Sequence, residues 1–236
     1  MFGTAKGLAT LLLCVLATGF SWAQLFLPTW RVATKGVASV GLWGLCADGV
    51  CYPFFVPSST AEVLASVHGN ASRLAIPANA TICSYGWNAT SDVVDDPFIA
   101  ATCGSIGHAS MAMCLIQTVL GTLMCASYLL WTCATTNKSC LLALCKLLAF
   151  ASLFANLLTI TMWMVQKSQS TTGAAAKDGL GFIFTLVSAS LFGLCVVFIG
   201  MLRLKEHHER MQTKRDLLAK AKSQLESQKS QPINMV

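Results

Sequence analysis

Four apolar stretches, each long enough to cross a lipid bilayer, constrain this chain more than any other feature. They run from Gly7 to Leu27, from about Ile99 to Ala134, from Leu141 to Val165 and from Gly179 to Leu202. About 20 apolar residues rising 1.5 Å each cross a hydrocarbon core of roughly 30 Å. Charge tells the same story: 11% of residues are charged, against about 25% in soluble domains. The second stretch exceeds one crossing, and Gly104 and Gly107 mark where its end meets the headgroups. Lys146 falls inside the third, close enough to its end to snorkel.

The net charge of +6 does not indicate a nucleic-acid partner, because 8 of the 16 basic residues follow Leu202. They read as the cytoplasmic flank of the last span. Lys6, Lys138 and the run from Arg203 to Arg215 all fall on one side if both termini are cytoplasmic. The expected organisation is a transmembrane helix (1–28), an outer loop (29–100), a second helix (101–134), a cytoplasmic turn (135–140), a third helix (141–165), a second outer loop (166–178), a fourth helix (179–203) and a basic helical tail (204–236). The outer loop holds three N-x-S/T sequons, at Asn70, Asn79 and Asn88, which are expected to be glycosylated. A fourth, at Asn137, falls in the cytoplasmic turn and is expected to stay bare.

The first span has a second reading. Ser21-Trp22-Ala23 is a small-x-small pattern of the kind signal peptidase cuts, but the apolar run continues to Leu27, longer than a usual signal core. Retention is expected on that length, and the large loop faces outward either way.

Eleven cysteines divide by location. Cys46, Cys51, Cys83 and Cys103 lie in the outer loop, where an oxidising compartment favours bridges. Four cysteines allow three pairings, and spacing does not decide among them. Cys46 with Cys51 and Cys83 with Cys103 is the expected set. Cys133, Cys140 and Cys145 cluster at the inner membrane surface, where they are candidates for palmitoylation or plain packing residues.

Leu27-Pro28-Thr29-Trp30-Arg31 follows the first span directly, and Gly41-Leu42-Trp43, Cys46 and Cys51 come next. This arrangement resembles the signature of the claudin superfamily, which includes claudins, the peripheral myelin protein group and the calcium-channel gamma and receptor auxiliary subunits. The likeness is strong over residues 1–55 and elsewhere rests on the number of spans and order of loops. It implies an all-α membrane four-helix bundle with a small extracellular antiparallel β-sheet. In that frame Trp30 stands where the first helix leaves the lipid, a favoured place for an indole. Gly41 suits a turn or a close approach. Leu42 and Trp43 anchor the strands on the helix ends, and the Cys46–Cys51 bridge ties two neighbouring strands.

The sequence also departs from claudins. The outer loop is longer, with sequons and a second cysteine pair, as in the auxiliary-subunit branch. His108 stands near where claudins often carry an Arg. The second outer loop is small and polar, without the apolar tip claudins use between cells.

Gln117, Ser127, Asn156, Thr159 and Thr161 lie within the spans and are expected to bond between helices rather than line a transport route. Leu204, Met211, Leu218 and Leu225 recur every seven residues in the tail. Their companion positions are polar or small, which favours a solvated or lipid-surface helix over a coiled coil. Val236 fits a PDZ ligand but Asn234 does not, so no PDZ partner is expected. No catalytic, cofactor or metal-binding constellation stands out, and the chain is expected not to be an enzyme. Two roles follow. One is a claudin-like protein that assembles with itself at the plasma membrane, with Tyr52 to Val56 as its exposed apolar contact and Asp48 as a candidate pore filter. The other is an auxiliary subunit bound to another membrane protein.

Overall fold

The computed structural model describes residues 5–33, 38–47, 50–56, 81–85, 96–133, 138–170 and 176–229. Four long helices dominate: α1 (Ala5–Phe26), α4 (Ser105–Cys133), α5 (Lys138–Gln169) and α6 (Leu180–Lys229). Two short helices precede α4 in the chain, α2 (Ile82–Tyr85) and α3 (Asp96–Cys103). All four long helices are long and apolar enough to cross a membrane. The shortest, with 22 residues, is about 33 Å long. This is a multi-pass membrane protein. Its helices form a ring in which α1 touches α4 and α6, and α5 touches the same two.

The bundle is not sorted like a soluble protein. Leu12, Leu16, Leu123, Leu130, Leu147, Phe150, Phe154 and Val197 point outward and are exposed. Polar side chains, Ser21, Gln24, Gln117, Asn156 and Ser188, are fully buried between helices. Lipid is as apolar as leucine, so burial of Leu gains nothing there, while a polar group gains a partner only by facing another helix.

Five short strands form one antiparallel sheet at one end of the bundle. They are β1 (Arg31–Ala33), β2 (Ala38–Val40), β3 (Gly44–Ala47), β4 (Val50–Pro53) and β5 (Ala176–Asp178), in the order β4-β3-β2-β1-β5. The architecture is the expected four-helix bundle with a small antiparallel sheet. One strand departs from expectation. The sequence predicts a small, polar second outer loop over 166–178, whereas α5 extends to Gln169 and residues 176–178 add β5 to the sheet edge. Arg31 faces Asp178 and Val32 faces Lys177 across that pairing. Lys167 Nζ also donates to Asp178 Oδ1 at 2.6 Å, fastening the end of α5 to β5.

The expected second span also divides. Gly104 separates α3 from α4, and His108 bonds back to the Gly104 carbonyl through its backbone N–H, at 3.3 Å. At the other end of the bundle, α6 runs without interruption through Lys229, so the fourth span and the basic tail are one helix of 50 residues.

Candidate functional site

The residues of the Trp-Gly-Leu-Trp-Cys-Cys pattern meet where the sheet sits on the helix ends. Pro28 follows α1 closely, and the chain turns there into β1. Trp30 is fully buried, and its indole N–H donates to the carbonyl of Gln24 in the last turn of α1, at 2.8 Å. Its ring meets Trp163 of α5 edge-on, with centroids 5.0 Å apart, and lies 6.3 Å from Phe182 of α6. Phe98 of α3 meets the other side of Trp163 edge-on at 5.9 Å. Edge-to-face pairs add about 0.5–1.5 kcal/mol beyond the area they bury. One indole therefore joins the first helix, the sheet and two further helices. Trp30, just beyond the end of α1, is enclosed there by α5 and α6.

Close approach explains the glycines. A Cβ on Gly41 would stand 2.7 Å from the Leu27 carbonyl oxygen and 2.7 Å from the Cα of Pro28. A Cβ on Gly181 would overlap the Trp30 ring. Leu42 and Leu45 are buried under the sheet, and Trp43 packs half-buried against the same core. The Phe54 backbone N–H donates to the Trp43 carbonyl at 2.7 Å, extending the β3–β4 pairing one step beyond Gly44 and Pro53.

Cys46 faces Cys51 across β3 and β4, and the two are bonded. Cys83 is bonded to Cys103, tying α2 to α3 beside the sheet. Both pairs are those expected. Arg31 is buried, with its guanidinium 5.9 Å from the centre of the Phe98 ring.

No known family model and no curated protein matches this sequence. The assignment of a role therefore rests on geometry and on the motif.

Two expectations about exposed residues are corrected. Tyr52 and Phe54 were offered as exposed contacts, but alternation along β4 and its continuation turns both into the core; Val56 is exposed, and Phe55 lies 4.5 Å from the His108 ring. Cys133 and Cys140 are exposed, whereas Cys145 is fully buried. A thiol enclosed between helices presents no surface to an acyl donor, so Cys145 leaves the palmitoylation set. It packs in one apolar cluster with Cys14 and Cys195, whose sulfurs are 3.8 Å apart. Asn70, Asn79, Asn88, Asn137 and Asp48 lie outside the described residues.

The most extensive polar arrangement is inside the bundle. Gln24 Nε2 donates to Gln117 Oε1 at 2.8 Å, and Gln117 Nε2 donates to Ser21 Oγ at 2.8 Å and to Ser188 Oγ at 3.3 Å. The two serine hydroxyls are 3.0 Å apart. Three helices, α1, α4 and α6, are joined by this network. Asn156 Nδ2 donates to the Thr185 carbonyl at 3.3 Å, joining α5 to α6. Gln117 and Asn156 thus bond between helices, whereas Thr159 and Thr161 bond to their own helix. Ser21 stands in the sequence as part of a cleavage-like triplet, and its role beside Gln24 in bonding Gln117 appears in the fold. Their signal was present: two polar residues three apart near the end of an apolar span face one side of a helix. Among the described residues no group of three His, Cys, Asp or Glu is placed to hold a metal.

Proposed function

We propose that this chain is a claudin-like protein of the plasma membrane that organises cell-surface or junctional contacts by lateral assembly through its sheet, acting by contact and not by catalysis. In this reading the sheet end is extracellular and both termini are cytoplasmic. Lys6, Lys138 and Arg203 all stand at the end of the bundle opposite the sheet, which agrees with the excess of cytoplasmic Lys and Arg seen in membrane proteins. The two disulfides stand at the sheet end, where an oxidising exterior would preserve them. The sequons at Asn70, Asn79 and Asn88 would carry glycans on the same side.

The observation that carries the reading is the position of the motif. Trp30, Gly41, Leu42, Trp43 and the Cys46–Cys51 bridge act together to fix a sheet rigidly on helix ends, with β4 and β5 as its two edges. Sheet edges are natural places for one chain to align with another. Exposed Val56, just beyond β4, is the apolar contact left there once Tyr52 and Phe54 turn inward.

The second bridge favours another reading. Cys83–Cys103 lies in the part of the loop that departs from claudins, and it suits an auxiliary subunit of a channel or receptor. Cross-linking in intact cells followed by extraction in mild detergent separates the two. Ladders of this chain alone, lost in Val56→Lys, are the expected result. Stoichiometric recovery with a larger membrane protein, and no self-cross-link, would replace the first reading with the second.

A further inference from the structure

We propose that the groove between α5 and α6, at the end of the bundle away from the sheet, is a binding site for the phosphate headgroup of an anionic phospholipid, held by Lys146 and Arg203. The inference rests on the helices crossing a bilayer with this end cytoplasmic, and would stand if the claudin reading failed.

Lys146 begins it. It lies within a membrane-crossing helix, eight residues from its first residue, within snorkelling reach of the surface, so its amine is placed to meet a headgroup there. Among the described residues no Asp or Glu is paired with Lys146. The sequence holds no Asp or Glu from residue 97 to 177, nor from 179 to 205. The ion pair Lys167–Asp178 stands at the opposite end of α5.

Lys146 is also directed. Its Nζ lies 3.6 Å, and its Cε 3.8 Å, from where a Cβ on Gly200 of α6 would stand. The amine therefore reaches across to α6 at a residue without a side chain to obstruct it. Arg203 follows Gly200 by three residues and His207 by seven, so both continue the same face of α6 away from the membrane centre. On α5, which runs the other way, Ala143 and Ser139 precede Lys146 by three and seven residues on its own face. Both are small and partly exposed. Lys146 thus meets α6 at Gly200, and Arg203 follows about one helical turn further along the same face, with small Ala143 and Ser139 on the facing side of α5. Arg203 is exposed and free to close on an anion from the water side. A phosphate monoester or diester accepts from an ammonium as a point charge and from a guanidinium in bidentate fashion. The lipid is the favoured source because Lys146 lies below the level of Arg203, within reach of a headgroup whose acyl chains lie alongside Leu144 and Leu147, both exposed on α5. Basic pockets between helices at the cytoplasmic boundary are suited to such headgroups.

The test uses the full chain in nanodiscs of phosphatidylcholine containing phosphatidylinositol bisphosphate, released gently and weighed by native mass spectrometry. Lys146→Met and Arg203→Gln should each lower the fraction of protein retaining the anionic lipid about fivefold. Lys220→Gln/Lys222→Gln, which removes two charges from the same helix some 30 Å beyond Gly200, should leave it unchanged. Soluble inositol trisphosphate at equal concentration should not displace the lipid. Equal loss in the distal variant would mean diffuse attraction, and retention by Lys146→Met would mean no site at this groove; either overturns the proposal. Full displacement by the soluble headgroup would overturn the lipid as its ligand. Because methionine is apolar and a good helix former, Lys146→Met is expected to fold, and its unchanged melting in pure phosphatidylcholine serves as the check.

Discussion

Two tryptophans that look alike in the motif do different things. Trp30 donates its N–H to the Gln24 carbonyl and packs against rings from two helices, Trp163 of α5 and Phe182 of α6. Trp43 is half-buried, and its N–H has no hydrogen-bond partner. Replacement by Phe removes similar volume from each, so the difference isolates the bond and the tighter packing. Trp30→Phe should destabilise the purified protein in detergent by about 1–2 kcal/mol more than Trp43→Phe, read from thermal or denaturant unfolding. Gln117 offers a parallel case inside the bundle. Gln117→Leu keeps the shape but strips partners from Gln24, Ser21 and Ser188. Interhelical bonds in lipid average about 0.6 kcal/mol with a maximum near 1.7. A loss of about 1–2 kcal/mol is therefore expected, against a change within about 0.5 for Thr161→Val, whose hydroxyl bonds only to its own helix on an exposed face.

The two bridges are expected to differ because they close loops of different length. Cys46–Cys51 spans a sequence separation of 5, and Cys83–Cys103 a separation of 20. The chain-entropy relation gives about 2 kcal/mol for the first and about 3 for the second. Replacing both cysteines of a pair by Ser should thus cost more at Cys83/Cys103, measured by unfolding of the oxidised proteins in detergent. The pairings themselves could be anticipated, though not proved, from compartment and neighbourhood. Helices α1, α4, α5 and α6 were legible because hydropathy acts over twenty residues and lipid enforces it. Strand β5 was not legible. Its run of Ala174-Ala175-Ala176-Lys177 has no β-branched or aromatic residue, and it becomes a strand because β1 offers an edge and Lys167 holds Asp178 in place. The inward turn of Tyr52 and Phe54 was hidden for a similar reason: alternation was visible, but which face met the core depended on where the sheet docked. The burial of Trp30 required knowing that Trp163 and Phe182, more than 130 residues further along the chain, close over it.

At the scale of the molecule, the first helix cannot be removed without exposing the rest. Cutting after Ala23 would take away Cys14, Ala17 and Ser21, which α4 and α6 use as partners. Ser188 would lose the Ala17 carbonyl and Ser21, and Tyr128 would lose the Gly7 carbonyl, to which its hydroxyl donates at 3.1 Å. Gln117 would keep at most Gln24 and Ser188, with an open flank toward lipid. Buried polar groups left without partners in hydrocarbon cost several kcal/mol each, so a three-helix remnant would be much less stable than the ring of four. The small-x-small sequence Ser21-Trp22-Ala23 does not act alone in this context: Ser21 is fully buried, and Trp22 stacks on Phe26 with centroids 5.7 Å apart within a continuous helix that runs to Phe26. An epitope placed before Lys6 should therefore remain on the mature protein recovered from cells, and peptides from residues 7–20 should be found at the same abundance as those from α4. A mature chain beginning at Gln24 would remove α1 from the bundle and with it the network centred on Gln117.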